Sequence, residues 1–332
     1  LDQNGKTSGD SPLREVAQPV SSIPLRDMPV GEYFPEADQY QRWLDGEIDM
    51  EFEGIPPALQ PFLLEDALNL PASTYNPAGG TGPVLLDSWD SIDSNECSGG
   101  GTVTPPDPEM AAGPNHVIAV VNLALEIYDK DGVSLVGPVT YGTFFAPLGS
   151  NCSSGGFDPN VLYDEEHDRF IIGVDGDGVS YCVAVSQTGD PTGAYNMYEF
   201  TSVDVGGAFF DYPHAGVGDD AIYMGANLFG SGQGYVYAMD KVAMYNNNAA
   251  TIVTQILSGG FHTTPQPYNA HGWAQGTWPT GPHYIFAGTG FGDASTYQLY
   301  SWDDPFGANN FQHVTSFDLP AIHGKTVGSP IN

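Results

Sequence analysis

Three aspartates, Asp107, Asp158 and Asp211, and three histidines, His116, His214 and His271, each stand at or just before the opening of a strand-like apolar run. Gathered about one point, such carboxylates hold a hard cation such as Ca2+, and such imidazoles hold a transition metal. His214, His271 and Tyr212 are the residues that would serve an acid–base reaction. Asp158, Asp211, His116 and Trp273 would line a ligand surface, and Asp107, Asp158 and Asp211 are the metal candidates. The competing reading is that each aspartate closes a turn by accepting backbone N–H groups, as Asp-Pro and Asp-Tyr pairs commonly do.

Other acidic stretches offer less. YDKDG at 128–132 and VDGDG at 174–178 open like calcium loops. Neither carries the downstream glutamate of an EF-hand, so both read as Asp-Gly hairpin turns. Glu165, Glu166 and Asp168 crowd three carboxylates into one turn that a cation would relieve. The sequence contains no GxSxG elbow and no HExxH helix, which removes the commonest hydrolase signatures. A carbohydrate-active enzyme would have to use Asp158 with Asp211, or His214 with Tyr212. Trp273, Trp278, Tyr268, Trp302 and Phe306 are able to stack on sugars or to fill the space between sheets.

These residues need a scaffold that brings distant turns together, and the stretch 157–200 shows its unit. Val161–Tyr163, Arg169–Val174, Tyr181–Ser186 and Tyr195–Phe200 read as four short strands separated by Gly- and Asp-rich turns. The same grammar recurs from about 115, 212 and 270. The expected fold is therefore all-β, a β-propeller of four-stranded antiparallel blades, four to five in this chain. The predicted organisation is an acidic, Pro-rich N-terminal arm over 1–83 and the propeller over 84–332. Short helices are predicted at Glu36–Leu44 and Pro57–Leu68. With Trp43, Phe52 and Phe62–Leu64, the arm either covers its own propeller or reaches a neighbouring copy.

The chain has 332 residues, 42 of them Gly and 27 Pro, and 41 Asp and Glu against 8 Lys and Arg, a net charge of −33. A surface this acidic repels nucleic acid and anionic lipid. It either serves solubility alone or is screened by a salty, calcium-containing medium of the halophilic or marine kind. No apolar run approaches the roughly 20 residues of a membrane span. Of the three cysteines, Cys97 and Cys152 lie in Gly/Ser-rich loops, and Cys182 lies inside a strand. The expected disulfide is Cys97 with Cys152, and with it secretion to the cell exterior after signal-peptide removal.

From PPDPEMAAGPNHVIAVVN onward, the segments LEIYDKDG, DPNVLYDEEHDRF, CVAVSQTGDPTGAY and DYPHAGVGDDAIYMGANLF resemble a group of secreted bacterial and archaeal β-propeller proteins. The shared patterns are PPDxxxAxGPxH, DPxVxYD, CVAVSxTGDPTGxY and DYPxxGV. The resemblance implies fold and secretion, not an activity. The functional expectation is a non-catalytic extracellular module, stabilised by Ca2+. It would bind an extracellular polymer, or other copies of itself through the arm. The alternative is a polysaccharide lyase or glycoside hydrolase with its site at the channel mouth.

Overall fold

The computed structural model describes residues 13–30, 88–92, 106–257 apart from 205, 207, 230 and 232, 262–289 and 296–318. The chain is a β-propeller built of antiparallel sheets. Two N-terminal strands come first, β1 (Leu13–Ala17) and β2 (Val20–Ser21). The first blade is β3 (Glu109–Ala112), β4 (His116–Val121), β5 (Ala124–Asp129) and β6 (Ser134–Thr140). The second is β7 (Phe157–Asp164), β8 (Arg169–Gly176), β9 (Ser180–Ser186) and β10 (Tyr195–Phe200). The third is β11 (Phe209–Val217), β12 (Ile222–Phe229), β13 (Gln233–Met239) and β14 (Ala250–Ile256). The fourth is β15 (His262–Pro267), β16 (His283–Thr289), β17 (Thr296–Asp303) and β18 (Asn310–Asp318). Among the described residues two short α-helices join strands, α1 (Tyr141–Phe144) and α2 (Lys241–Tyr245).

The order of strands within each sheet follows the chain, and β3, β7, β11 and β15 are the inner strands that neighbour the next blade. Side chains alternate across each strand, so a blade buries both faces against different neighbours. In β12, Ile222, Met224 and Ala226 face the second blade, while Tyr223 faces the fourth. In β8, Phe170, Ile172 and Val174 face the first blade, and Ile171 faces the third. Strands covered on both sides read as near-continuous apolar runs, which is why RFIIGV and SYCVAV show no polar alternation. Glycine is required where sheets approach closest: a Cβ on Gly225 would collide with the Pro265 carbonyl of the next inner strand.

The N-terminal stretch is part of the propeller. β1 extends the third blade by pairing with β14, and β2 extends the second by pairing with β10. Leu25, wholly buried, and Met28 enter the core between the first and second blades. Covering these outer edges satisfies backbone groups that would otherwise template association. The rest of the arm, with its two predicted helices and its apolar anchors, lies outside the described residues.

Two sequence expectations are corrected. Cys152 pairs with Cys182, not with Cys97, with the Cα atoms 5.7 Å apart. Cys182 faces the first blade in the same core as Phe144, Phe145 and Ala184, and the turn that follows α1 carries Cys152 onto it. A strand position is thus no bar to a disulfide when a loop from the adjacent blade crosses that face. The inner strand of the last blade is β15, whereas the stretch from about 270, where the sequence pattern sets the start of that blade, forms the turn-rich link to β16.

Candidate functional site

Each inner strand carries the same local distortion. Asp107, Asp158, Tyr212 and Thr264 have φ of 40°, 47°, 53° and 48°, and each is followed by proline. Three of the four sit in register shifts, between Phe157 and Asn160, Asp211 and His214, and Thr263 and Gln266. Left-handed backbone at a non-glycine residue costs on the order of 1 kcal/mol, so its repetition needs a compensating interaction. That interaction is a latch to the preceding blade. Asp158 N donates to Asn122 Oδ1 at 2.7 Å, Tyr212 N to Asp158 Oδ2 at 2.9 Å, and Thr264 N to Asn227 Oδ1 at 2.7 Å. Asn122 Nδ2 also donates to Asp107 Oδ2 at 2.9 Å.

The bulges turn carboxylates from three blades toward one another. Asp107 and Asp211 both act on the Asp158 carboxyl. Burial, then Asp211, then Asp107 push its carboxyl up to about 8. Asp211 is raised as well, chiefly by burial with Asp107 adding to it. Burial, with Asp211 and Asp158 nearby, also lifts Asp175 to about 8. Among the described residues, the donors to this cluster are Tyr212 N, to Asp158 Oδ2, and Asn122 Nδ2, to Asp107 Oδ2.

Tyr212 and His214 flank this cluster, with their rings edge-on at 4.4 Å. The Tyr212 hydroxyl is raised by burial and by the three aspartates. Burial lowers His214 to about 4, so its ring is neutral at pH 7 and brings no positive charge. Asp107, Asp158 and Asp211, the residues proposed from the sequence as metal ligands, come near one another at this end of the inner strands. The contact runs through Asp158, and the three do not offer one oxygen each within 4.8 Å of the others.

His116, His271 and Trp273 do not belong to this group. His116 opens β4, the second strand of its blade, and so lies at the far end of the sheet from Asn122. Its Nε2 is 3.9 Å from Asp190 Oδ1. His271 and Trp273 follow the inner strand β15 instead of preceding it. There Glu165, at the distal end of β7, meets the His271 ring at 3.0 Å and accepts Gly272 N and Trp273 N at 2.9 and 3.0 Å. Asp158 and Asp164 are at opposite ends of β7, about 20 Å apart at strand rise. Clustering of His271 with Asp158 and Asp211, which an acid–base set would need, is thus ruled out.

The distal end has its own ionic centre. The Lys241 ammonium, fully buried, donates to Asp164 Oδ2 at 3.2 Å, Glu166 Oε2 at 3.3 Å and the Gly218 carbonyl at 2.7 Å. Asp164, Glu166 and His167 do have ligand atoms within 4.8 Å of one another, but the lysine already occupies the position of the cation. Asp168 accepts the Tyr163 hydroxyl at 2.7 Å, so each carboxylate of the acidic turn 165–168 has a protein partner from outside the turn.

Sequence reasoning overlooked Asn122, Asn227 and the recurrent residue-plus-proline mark. That mark was readable: positions 107, 158, 212 and 264 lie 51, 54 and 52 residues apart, a steadier period than the strands themselves give.

No family model matches this chain, and no curated protein matches it. Among solved structures, it is similar to an engineered GH43 glycoside hydrolase with endo-xylanase and exo-arabinofuranosidase activity. That likeness has 14% identity and a TM-score of 0.33, and covers 64% of this chain and 41% of the other. An α-L-arabinofuranosidase from Podospora anserina in complex with cellotriose gives 13% and 0.35 over 63% and 66%. A GH43 endo-arabinanase from Bacillus licheniformis gives 12% and 0.33 over 62% and 73%. Likenesses this distant carry no argument about chemistry.

Proposed function

We propose that this chain is a secreted, non-catalytic β-propeller module whose channel mouth binds Ca2+ through Asp107, Asp158 and Asp211. One arrangement carries the reading: Asp158 is tied to the first blade through Asn122, which also holds Asp107, and to the third through Tyr212 N beside Asp211, so that carboxylates of three blades act on one another. Carboxylates in contact within a buried setting must share protons or a cation. An all-oxygen, anionic set suits Ca2+ and not a nitrogen-seeking metal. The bound ion would tie three blades together, and the acidic exterior suits a calcium-containing medium outside the cell. The partner in this reading is an extracellular polymer or another copy reached through the arm.

Glycoside hydrolysis fits the same cluster poorly. It requires two carboxyl groups about 5–9 Å apart, with the sugar between them. Asp158 and Asp211, the carboxyl pair named for that reaction, act on each other directly, with Asp158 bonded to the backbone beside Asp211, which leaves little room for that sugar between them.

Calorimetric titration with CaCl2 tests the proposal, together with melting in EDTA and in excess Ca2+. Stoichiometric binding, abolished in Asp158→Asn, is the expected result. A melting temperature indifferent to Ca2+ and EDTA at low salt would sink it. Reducing sugar or unsaturated product released from polysaccharides would overturn the non-catalytic part.

A further inference from the structure

Resting on the reading that the partner is an extracellular polymer, we infer that Trp273 is the aromatic platform of a ligand surface at the distal end of the propeller, and that the polymer it takes is a neutral polysaccharide whose sugars present a flat C–H face. Among the described residues Trp302 is wholly buried, Trp278 nearly so, and Trp89 lies over Tyr128, whereas Trp273 is 46% exposed. Exposure of one apolar side chain means little by itself. What sets this ring apart is how firmly the chain holds it in the open. Glu165, which follows β7, accepts Gly272 N and Trp273 N at 2.9 and 3.0 Å through Oε2, while its Oε1 meets His271 Nδ1 at 3.0 Å. The turn then closes on itself, with Gly276 N donating to the Trp273 carbonyl at 3.0 Å and Thr277 N to the Gly272 carbonyl at 2.9 Å. Gly272 has φ of 99°, and a Cβ there would collide with Thr277 Oγ1. On one side Ala270 N donates to the Val217 carbonyl at 2.8 Å; on the other Trp278 is buried in the core between the second and third blades and meets the Trp273 ring edge-on at 5.9 Å. A ring fixed in this way loses little freedom when a ligand settles on it.

The surroundings of the ring decide which partner fits. The segment 271–277 reads HGWAQGT and is exposed apart from half-buried Gly272, so its apolar surface is little more than the indole. A protein partner needs a broad apolar centre within roughly 800 Å2 on each side, and a single ring in a polar turn does not supply one. A pyranose asks for what is present: one flat aromatic face for its C–H groups, with hydrogen-bonding side chains beside it for its hydroxyls. Gln275, Thr277 and His271 stand in the same exposed turn. Charge narrows the class. A chain of net charge −33 repels polymers of uronic acids or sulfated sugars. Glu165, the carboxylate beside the ring, is engaged by two backbone donors and His271, so it is not a free counter-charge for an amino-sugar polymer. A neutral glycan is what remains, and holding it requires no cation.

The test is electrophoresis of the full chain in native gels containing hydroxyethylcellulose, xylan, polygalacturonate or soluble chitosan. Hydroxyethylcellulose or xylan should retard the wild type, and Trp273→Ala should lower the affinity about tenfold or more, as expected when an aromatic anchor is removed. The half-exposed ring lies on the surface, so the variant should fold, and an unchanged near-ultraviolet circular dichroism band from the buried aromatics checks this. Trp273→Tyr, which keeps a flat ring, should recover part of the retardation, a rescue that a purely structural role would not produce in the gels. Retardation of Trp273→Ala equal to that of the wild type would overturn the platform while leaving the extracellular-polymer reading standing. Retardation confined to polygalacturonate or to chitosan would overturn the neutral class. Absence of retardation by all four polymers would overturn both the platform and the polymer-binding part of the proposed function, whereas its calcium part is decided by the CaCl2 titration.

Discussion

Removing the Asp175 carboxyl should change how stability depends on pH, and the sign is fixed by the structure. Burial and the nearby aspartates hold this group at about 8, above the ordinary aspartate value of about 4. The folded state then binds a proton that the unfolded chain has released, so stability is greatest below about pH 4 and falls as pH rises toward 8. One such proton corresponds to about 1.4 kcal/mol per pH unit, and across the whole window to a ceiling on the order of 5 kcal/mol. At about 3 °C per kcal/mol for a domain this large, the effect is well within reach of thermal melting. The overall charge of −33 also destabilises the fold as pH rises, so the decisive quantity is the difference between wild type and Asp175→Asn in EDTA at fixed ionic strength. The variant should show a shallower decline and be the more stable protein at about pH 8, because its amide has no charge to bury. Parallel curves for the two proteins in EDTA would refute the reasoning.

Other perturbations test the frame around the site. Lys241→Ala leaves the buried Asp164 carboxylate without its cation, and urea unfolding should show a loss of about 3–5 kcal/mol; a loss under about 1 kcal/mol would mean that Tyr245 and the backbone donors suffice. Leu25→Ala should cost about 2–4 kcal/mol by the same measurement, because that side chain is wholly buried between two blades. Peptide mapping without reduction should recover Cys152 linked to Cys182, and opening this 30-residue loop should lower stability by about 3.5 kcal/mol. A fragment joining Cys97 to Cys152 would contradict the structure. Asn122→Ala removes the latch between the first two blades and should cost about 1–3 kcal/mol, read as an earlier thermal transition.

The parts of the fold that were legible in the sequence are those where local and tertiary signals agree. Tyr195–Phe200 was delimited to the residue, because aromatic alternation and the preceding Gly-rich turn both mark it. β15 escaped notice because HTTPQP contains two prolines and reads as a loop; its inner position shows in contacts, not in propensity. Placing the last blade's start about ten residues late carried His271 and Trp273 to the wrong end. His116 was misplaced for the related reason that β3 is only four residues long and was not seen as a strand. Cys182 misled because burial in a strand suggested an inert thiol, whereas the crossing loop from the first blade is a long-range feature.

The aspartates were found because Asp-Pro and Asp-Tyr-Pro sit at the distortion that aims them, yet the reason for that distortion was not legible. A turn-capping aspartate needs only local donors, and Asp129 behaves in that way, accepting the Asp131 and Val133 N–H groups. Asp158 does more: its oxygen receives the backbone of the next blade, and its own N–H is held by the previous one. The residue that bridges two blades is thus also the residue on which the carboxylates converge. Ligation there would couple ion binding to the seating of neighbouring sheets, and this link between binding and blade docking is what separates a structural cation from one adsorbed on an acidic surface. A surface ion would leave the Asn122 latch indifferent to calcium, whereas a structural one makes the cost of Asn122→Ala smaller when Ca2+ is bound. A double-mutant cycle of Asn122→Ala with Asp158→Asn, run in Ca2+ and in EDTA, should therefore show coupling that depends on the ion; additive losses in both media would place the cation outside the blade junction.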